Sequence, residues 1–254
     1  MRNQKTVTAS SSGDACAICH GTGWKLYEKK VEGYDAPLEY AAPCPRCHKI
    51  IAANDESGIP SGYRDMDLYR FDFEAYQKDL SKVKKIVWSF FEDYKKWESV
   101  GKGIYFWSDT PGSGKTFLAC CVAQSIRIKY GCRVRFITVP DYLSMVGDSY
   151  KRQMGERDES KIYRECELLI FDDVGVQKSG DWQQSEIFRL IDTRMKNGLV
   201  TIFTSNFPTE KLKVENRIIN RIQRVSIEIQ LPEESIRQKK AVEERDKFLS
   251  EILA

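Results

Sequence analysis

The chain has 254 residues, of which 41% are apolar, and its 40 basic and 37 acidic residues give a formal net charge of +3. That length is typical of one large domain with a small second domain. Because the basic and acidic residues nearly balance, the net charge alone gives no argument for nucleic-acid binding. No stretch reaches roughly 18 consecutive apolar residues, and residues 1–15 lack an apolar core, so we expect a cytoplasmic protein with no membrane span or secretion signal.

Two CxxC pairs lie near the N-terminus, separated by 24 residues. In a reducing compartment this spacing is typical of a tetrahedral Zn²⁺ site, because each CxxC turn presents two thiolates to one ion. His20 and His48 each follow a pair and could replace a cysteine, although four thiolates already complete the shell. The segment between the pairs predicts a hairpin with its loop at Gly33. We predict a zinc-binding module over 1–53, whose ligands are Cys16, Cys19, Cys44 and Cys47.

Residues 54–77 are polar and rich in turn formers, and they predict a linker, flexible over 54–62, that leads into the next domain. The third predicted domain covers 78–254. It opens with an apolar stripe that predicts a helix over 79–97. Apolar runs then alternate with helical patterns, which is typical of an α/β fold with a parallel sheet covered on both faces. The five predicted strands are 104–107, 134–139, 168–171, 199–204 and 225–229. The helices that follow them are 115–130, 140–152, 182–196, 209–224 and 232–253. The predicted core includes four more cysteines, Cys120, Cys121, Cys132 and Cys166.

The stretch TPGSGKTF follows the first of these strands and opens a helix, which is the context of a P-loop. We expect its N–H groups to surround the β-phosphate of ATP, Lys115 to reach the β- and γ-oxygens, and Thr116 to bind Mg²⁺. Asp109 replaces the first glycine of the pattern. Aspartate tolerates left-handed backbone better than most residues, so we expect a weakened but working site. The predicted nucleotide-binding residues are Pro111, Gly112, Ser113, Gly114, Lys115, Thr116 and Phe117.

Polar side chains also follow two later apolar strands, 168–171 and 199–204. LLIFDDVG places Asp172, as an Mg²⁺ ligand, before Asp173, which would orient or deprotonate the attacking water. TIFTSN places Asn206 where its amide can hydrogen-bond the γ-phosphate or the lytic water. Three matched strand ends are far more specific than any one of them.

Together with GIPSGYRDMDL, DWQQSEIFRLIDTRMKNG and ENRIINRI, these motifs resemble the DnaC/DnaI/IstB group of AAA+ ATPases, which contains helicase loaders and transposition helpers. The resemblance covers about residues 58–240 and implies a P-loop AAA+ sheet of five parallel strands. The N-terminal zinc module makes the chain most similar to DnaI-like loaders. The sequence departs from the group at three positions. Asp109 replaces a glycine, Asp173 stands where some relatives have Glu, and Asn220 stands where the group often has Ser.

The resemblance implies further roles. Arg221 matches the arginine finger that reaches the γ-phosphate on a neighbouring subunit, with Arg217, one turn earlier, as the alternative. Arg237 matches the sensor-2 arginine. A site completed by a second subunit implies an ATP-dependent oligomer, expected to be a hexamer. Lys151 and Arg152 lie in a segment that resembles a single-stranded DNA contact, although they fit a solvated helix end equally well.

The implied function is a slow, DNA-stimulated ATPase that requires ATP, Mg²⁺ and Zn²⁺. It would bind a DnaB-type replicative helicase through the zinc module and deliver it onto single-stranded DNA during replication initiation. An IstB-like transposition helper acting on duplex DNA is the alternative, and the zinc module favours the loader. A DNA-dependent ATPase without either partner is the third possibility.

Overall fold

The computed structural model describes residues 24–29, 38–43, 57–149, 158–175 and 180–253. The chain divides into two compact units, Met1–Asp55 and Glu56–Ala254. In the first unit, β1 (Trp24–Lys29) pairs antiparallel with β2 (Leu38–Pro43). This pairing agrees with the hairpin predicted between the two cysteine pairs, while its predicted loop at Gly33 lies outside the described residues.

The second unit is built on a parallel sheet of five strands, as predicted, in the order β4-β5-β6-β3-β7. The order places β6 between β3 and β5. Because the strands are parallel, the carboxyl ends of these three strands lie side by side at the same end of the sheet. Each strand is a short, mostly buried apolar run, as expected for a sheet covered on both faces. The strands are β3 (Gly103–Trp107), β4 (Val134–Thr138), β5 (Leu168–Asp172), β6 (Val200–Ser205) and β7 (Ser226–Gln230).

Eight α-helices lie in the described part of this unit. Three short 3₁₀ turns, Ser61–Tyr63, Leu68–Arg70 and Phe73–Ala75, precede them, and a fourth, Thr209–Lys211, precedes α7. No helix of the described residues has the length and apolar character needed to cross a bilayer. The helices are α1 (Ser81–Glu92), α2 (Tyr94–Ser99), α3 (Lys115–Tyr130), α4 (Val139–Ser149), α5 (Lys161–Glu165), α6 (Asp181–Lys196), α7 (Asn216–Val225) and α8 (Ile236–Leu253).

Three predicted helices differ from the structure. The helix expected over 79–97 is split into α1 and α2 at Asp93, whose backbone is not helical. The helix expected over 209–224 is interrupted because Leu212 takes an extended conformation (ψ 131) that buries its side chain in the core. The last helix starts at Ile236 rather than at residue 232, because Leu231 donates its N–H to the Trp107 carbonyl and so extends the strand pairing.

The core is divided by the sheet into two layers. On one face, Phe106, Ile170 and Ile202 pack with α1, α3 and the segment before α1. On the other face, Tyr105 and Phe171 pack with α4, α6 and α7. Successive strand residues therefore alternate between the two layers, which is the expected geometry of a doubly covered sheet. The cysteines predicted to be core residues, 120, 121, 132 and 166, are buried.

The segment before α1 corrects part of the linker prediction. From Ser57 onward the chain packs on the rest of the second unit instead of crossing solvent. The Ser57 carbonyl accepts the Phe136 N–H at 2.7 Å, against β4 at the edge of the sheet. Farther along, Leu68 is buried and its N–H donates to Ser125 Oγ at 2.8 Å. Apolar residues hidden between polar ones make this packing, which composition alone does not reveal; residues 54–56 lie outside the described part.

Candidate nucleotide-binding site

The loop between β3 and α3 has the backbone of a phosphate-binding loop. Gly114 takes a left-handed conformation (φ 93), and a Cβ atom there would lie 2.6 Å from the Tyr76 hydroxyl oxygen. Only glycine fits both conditions. The helix begins at Lys115, so its free N–H groups face the loop, where they favour an anion.

The Lys115 ammonium group lies inside this loop. Its Nζ donates to the carbonyl oxygens of Ser108 and Thr110 at 3.2 Å each and contacts Ser113 Oγ at 3.3 Å. Burial lowers the pKa of Lys115 from its usual value, and the charge of Asp173 acts in the opposite direction. All three acceptors are uncharged, so the positive charge is held where phosphate oxygens can compensate it.

Asp109 occupies the loop without the left-handed backbone that the sequence led us to consider. Among the described residues, Asp173 is the non-glycine residue with a positive φ, and Asp109 does not share it. The backbone at the first position of this loop therefore does not require glycine. The Asp109 side chain is exposed and its charge acts on Lys115 to raise the pKa.

The end of β5 supplies a carboxylate beside the loop. Asp172 Oδ1 accepts a hydrogen bond from Thr116 Oγ1 at 2.8 Å and another from Thr204 Oγ1. Burial raises the pKa of Asp172 to about 6, against the lowering effect of the two hydroxyls. A hydroxyl and a carboxylate that meet in this way offer two of the oxygen ligands that Mg²⁺ prefers.

Asp173 follows the last residue of β5. Its φ of 60 turns the chain at the end of β5, and its N–H donates to Thr204 Oγ1 at 3.0 Å. Aspartate is one of the few residues that reach this conformation without a large penalty. The turn separates the two neighbouring carboxylates, so that Asp172 is buried while Asp173 remains partly accessible.

Asn206 follows β6, the strand between the P-loop strand and the Asp172 strand. The Ser205 carbonyl accepts the Ser108 N–H at 3.3 Å, and Ser205 Oγ donates to the Val174 carbonyl at 2.6 Å. These bonds join β6 to the chain that follows β3 and β5. They place Asn206, which is partly buried, beside both predicted catalytic loops.

The start of α8, which carries Arg237, lies against the P-loop. The Arg237 N–H donates to the Gly112 carbonyl at 3.2 Å, and its charge acts on Lys115 to lower the pKa. On the other side of the loop, the Tyr76 hydroxyl donates to the Ser113 carbonyl at 2.7 Å. Glu234 connects the two sides, because its carboxylate accepts the Gln77 N–H at 3.0 Å.

Two predicted loop residues lie at its margins. Pro111 is exposed. The Phe117 ring packs on Tyr63 and Phe71, with ring centroids 5.4 and 5.6 Å apart, on the face of α3 that meets the segment before α1. The predicted contribution of Phe117 to the nucleotide site is therefore a main-chain one.

Arg221 makes its contacts with α6. Its Nε donates to Asp192 Oδ1 at 2.8 Å, and its guanidinium lies 4.5 Å from the centre of the Phe188 ring. Arg217, the alternative, lies at the same distance from that ring and pairs with Glu215. Both arginines are therefore placed by α6, and Arg221 is the one fixed by a largely buried carboxylate.

Three residues of this site were missed by the sequence interpretation: Thr204, Tyr76 and Asp192. Thr204 stands two residues before Asn206 in TIFTSN, so a polar residue inside an apolar strand was the available signal. Tyr76 and Asp192 had no comparable signal. The predicted zinc ligands (Cys16, Cys19, Cys44 and Cys47) and DNA contacts (Lys151 and Arg152) lie outside the described residues.

Comparisons with known proteins cover most of the second unit. The profile of a family described as IstB-like ATP binding protein matches residues 65–243. The chain is 25% identical to the replicative helicase loader DnaC of Escherichia coli K12 over 171 residues, which are 66% of each chain. It therefore spans slightly less than two thirds of that relative's length.

Solved structures share the fold. The crystal structure of the DnaC helicase loader matches with a TM-score of 0.59 and 22% identity, over 68% of this chain and 100% of that one. The crystal structure of DnaI matches with a TM-score of 0.55 and 22% identity, over 70% and 96% of the two chains. The five-stranded sheet is thus that of a P-loop AAA+ ATPase.

Proposed function

The chain belongs to the IstB-like ATP-binding protein family, and from that premise we propose that it is an ATP-dependent helicase loader. It binds a DnaB-type replicative helicase and delivers the helicase onto single-stranded DNA when replication begins. The observation that carries the proposal is the contact between Thr116 and Asp172 beside the P-loop, within the stretch that is similar to a replicative helicase loader.

In the proposed ATPase, Lys115 and the loop N–H groups bind the phosphates of ATP. Thr116 and Asp172 would hold Mg²⁺, which neutralises charge on the β- and γ-phosphates. The Thr116–Asp172 hydrogen bond already brings the two ligand oxygens to 2.8 Å, which supports this assignment. Arg237, at the start of α8, binds the same nucleotide from the other side of the loop.

Asp173 is the proposed group that orients and deprotonates the attacking water, and Asn206 positions that water or the γ-phosphate. Aspartate is one methylene shorter than the glutamate that some relatives have. Asp173 is partly exposed at the left-handed turn that ends β5, which supports access to a water. We expect slow hydrolysis in the free protein and faster hydrolysis on DNA.

Arg221 is the proposed arginine finger for a neighbouring subunit. A guanidinium offers parallel N–H donors to phosphate oxygens. Its Nε is engaged by Asp192 and its Nη1 donates to the Arg217 carbonyl at 3.5 Å, so Nη2 is the donor proposed to reach outward. The active form is then an oligomer, proposed to be a hexamer, in which each site joins two subunits.

The proposed division of labour follows the predicted domains 1–53, 54–77 and 78–254. The first is a cytoplasmic zinc module that recognises the helicase, with Zn²⁺ held by the four N-terminal cysteines. Lys151 and Arg152 are the proposed single-stranded DNA contacts. The segment from Ser57 to residue 77 is part of the proposed ATPase domain, because it packs on α3 and the P-loop.

A pull-down tests the loader proposal. The full chain is immobilised and exposed to the replicative helicase of its host, with a 56–254 fragment as the control that keeps the Ser57–Phe136 contact. We expect the full chain to retain the helicase in the presence of ATP and the fragment to lose it. Equal retention by both would show that the zinc module does not recognise the helicase. No retention by either would reject the proposal that the protein is a helicase loader.

The second candidate is a transposition helper that assembles on duplex DNA. It is favoured by the matching family, whose description refers to IstB. It predicts ATP-dependent binding to long duplex DNA without any helicase, and tighter binding to duplex than to single strands. The loader predicts the reverse preference, so a competition between the two DNA forms distinguishes them.

A further inference from the structure

Three side chains of the types that bind metals lie together at the opposite end of β5 from the nucleotide site. Glu98 of α2, Cys132 after α3 and Glu167 before β5 bring one ligand atom each within 4.8 Å of one another. Glu167 precedes the first residue of β5 and Asp172 is its last, so the length of that strand separates the two sites. The nucleotide chemistry does not use this cluster.

A buried hydroxyl is directed into the cluster. Tyr94 of α2 has no solvent exposure, and its hydroxyl lacks a hydrogen-bond partner within the described residues. Burial raises the pKa of that hydroxyl, and the neighbouring groups that raise it further are Cys132, Glu98 and Glu167. Buried polar groups are nearly always satisfied, so an unpartnered hydroxyl facing three potential ligands needs an explanation.

Each carboxylate is already oriented by a neighbouring donor. Lys95 Nζ lies 2.6 Å from Glu98 Oε2, and the Arg133 N–H donates to Glu167 Oε2 at 2.9 Å. Metal ligands are typically held in this way by an outer layer of hydrogen bonds. The two cations also offset the charge that a thiolate and two carboxylates would carry around a divalent ion.

We propose that Glu98, Cys132 and Glu167 bind a zinc-class divalent cation, with water as the fourth ligand. One thiolate with oxygen ligands suits a borderline ion such as Zn²⁺ better than Mg²⁺. Tetrahedral zinc separates its ligands by roughly 3.3–3.8 Å, so a small inward movement closes the site. On binding, the Cys132 thiol releases its proton to solvent, and the Tyr94 hydroxyl donates its hydrogen bond to the resulting thiolate.

The ion would join three parts of the fold that are distant in sequence. It would connect the end of α2, the turn after α3 and the start of β5, all on the side away from the P-loop. Its role is structural, and it is separate from the predicted module of four cysteines in the first unit.

Metal content of the full chain tests the proposal by difference. We expect Cys132→Ser to contain one equivalent of zinc less than wild type after dialysis against a fixed free zinc concentration. Cys166→Ser is the matched control, since Cys166 is a buried thiol next to Glu167 but outside the cluster. The comparison holds whether or not the N-terminal module is loaded, because that module is the same in all three proteins.

A second variant keeps the test decisive if Cys132→Ser does not fold. Glu98→Gln/Glu167→Gln changes two partly exposed side chains and leaves the buried thiol in place. We expect it to lose the second zinc at the same free zinc concentration, because even the loss of an outer-layer partner weakens a metal site about 10- to 100-fold and this variant changes two direct ligands. In cobalt-loaded protein, the thiolate-to-metal absorption should fall by the share of one sulfur in Cys132→Ser. Equal zinc content in wild type and in either cluster variant would overturn the site.

Discussion

Asp192 holds the Arg221 side chain inside its own subunit, with Nε and Oδ1 at 2.8 Å. Lys196 Nζ binds the other oxygen of the same carboxylate at 2.7 Å, and hydrogen bonds from both cations lower the pKa of Asp192. The guanidinium is also stacked on Phe188. The proposed finger is therefore oriented before a second subunit arrives, and less side-chain freedom is lost on assembly.

Arg221→Ala should bind ATP as wild type does and lose DNA-stimulated hydrolysis. Its target phosphate would lie on the next subunit, and an arginine finger contributes on the order of 10³-fold or more to hydrolysis. Single-turnover hydrolysis with DNA measures the loss. Arg217→Ala is the matched control, since it removes the other arginine that stacks on Phe188. If Arg217→Ala lost hydrolysis and Arg221→Ala did not, the two assignments would be exchanged.

Mixing Arg221→Ala with Lys115→Ala tests whether the finger acts between subunits. Some interfaces in a mixed assembly would pair an intact loop with an intact finger, so part of the activity should return. Asp192→Asn should lower the rate without changing ATP affinity, because it loosens the orientation of Arg221. A rise in the Michaelis constant alone would contradict this positioning role.

Lys115→Ala should weaken ATP binding. It removes the buried ammonium that the carbonyls of Ser108 and Thr110 hold in the loop. A hydrogen bond to a charged group is worth about 1.5–3 kcal/mol, so affinity should fall about 10- to 100-fold or more. Titration with a fluorescent ATP analogue measures it. Lys129→Ala, at the far end of the same helix, should bind normally; equal binding by both variants would reject the P-loop assignment.

Asp173→Asn should retain ATP binding and lose hydrolysis. Asparagine tolerates the left-handed backbone at this position, so the variant removes the carboxylate with little strain. Loss of a general base typically lowers rates about 10²- to 10⁴-fold. Multiple-turnover phosphate release measures the loss, and Asp173→Glu, which restores a carboxylate but strains the left-handed backbone, should recover part of the activity. Normal hydrolysis by Asp173→Asn would show that the water is activated elsewhere.

Asp172→Asn should stabilise the nucleotide-free protein at neutral pH. The folded-state pKa of Asp172 is raised from 3.8 to about 6, so the folded state binds the proton more tightly than the unfolded state does. The associated stability is present below about pH 4 and is lost as the pH rises through about 6. The cost of the charged carboxylate is on the order of 2–3 kcal/mol.

Thermal melts of Asp172→Asn and wild type across this range measure the effect. The gain in melting temperature should be near zero at about pH 4 and largest above about pH 7. Asp109→Asn, which changes an exposed carboxylate of the same loop, should show little gain. A gain for Asp172→Asn that does not depend on pH would contradict the raised pKa.

Cys16→Ser/Cys44→Ser should reduce zinc content by one equivalent and weaken capture of the helicase. ATP binding should be unchanged, because the nucleotide residues belong to the second unit. Metal analysis and the pull-down measure the two effects on the same preparation. Unchanged zinc content would reject the four-cysteine site, and unchanged capture with lost zinc would place recognition elsewhere.

Features that depend on one continuous stretch of sequence were predictable. The helix 115–130 has the predicted bounds, because the P-loop begins it and Gly131, with a left-handed backbone, ends it. Contacts between distant residues were not predictable. Tyr76 meets Ser113 across 37 positions and Arg221 meets Asp192 across 29, and neither pair has a spacing that a motif records. The interruption at Leu212 likewise depends on a core that only the folded chain contains.

The contact between Ser57 and Phe136 also affects how the protein avoids aggregation. β4 is an edge strand, and an open edge offers unpaired N–H and C=O groups to any passing strand. Ser57 takes the Phe136 N–H, and a side chain on Gly58 would collide with the Phe136 carbonyl, at 2.7 Å. The chain thus occupies part of the sheet edge at β4 itself. A strand from another molecule could therefore add at β4 only by first displacing this segment of the chain.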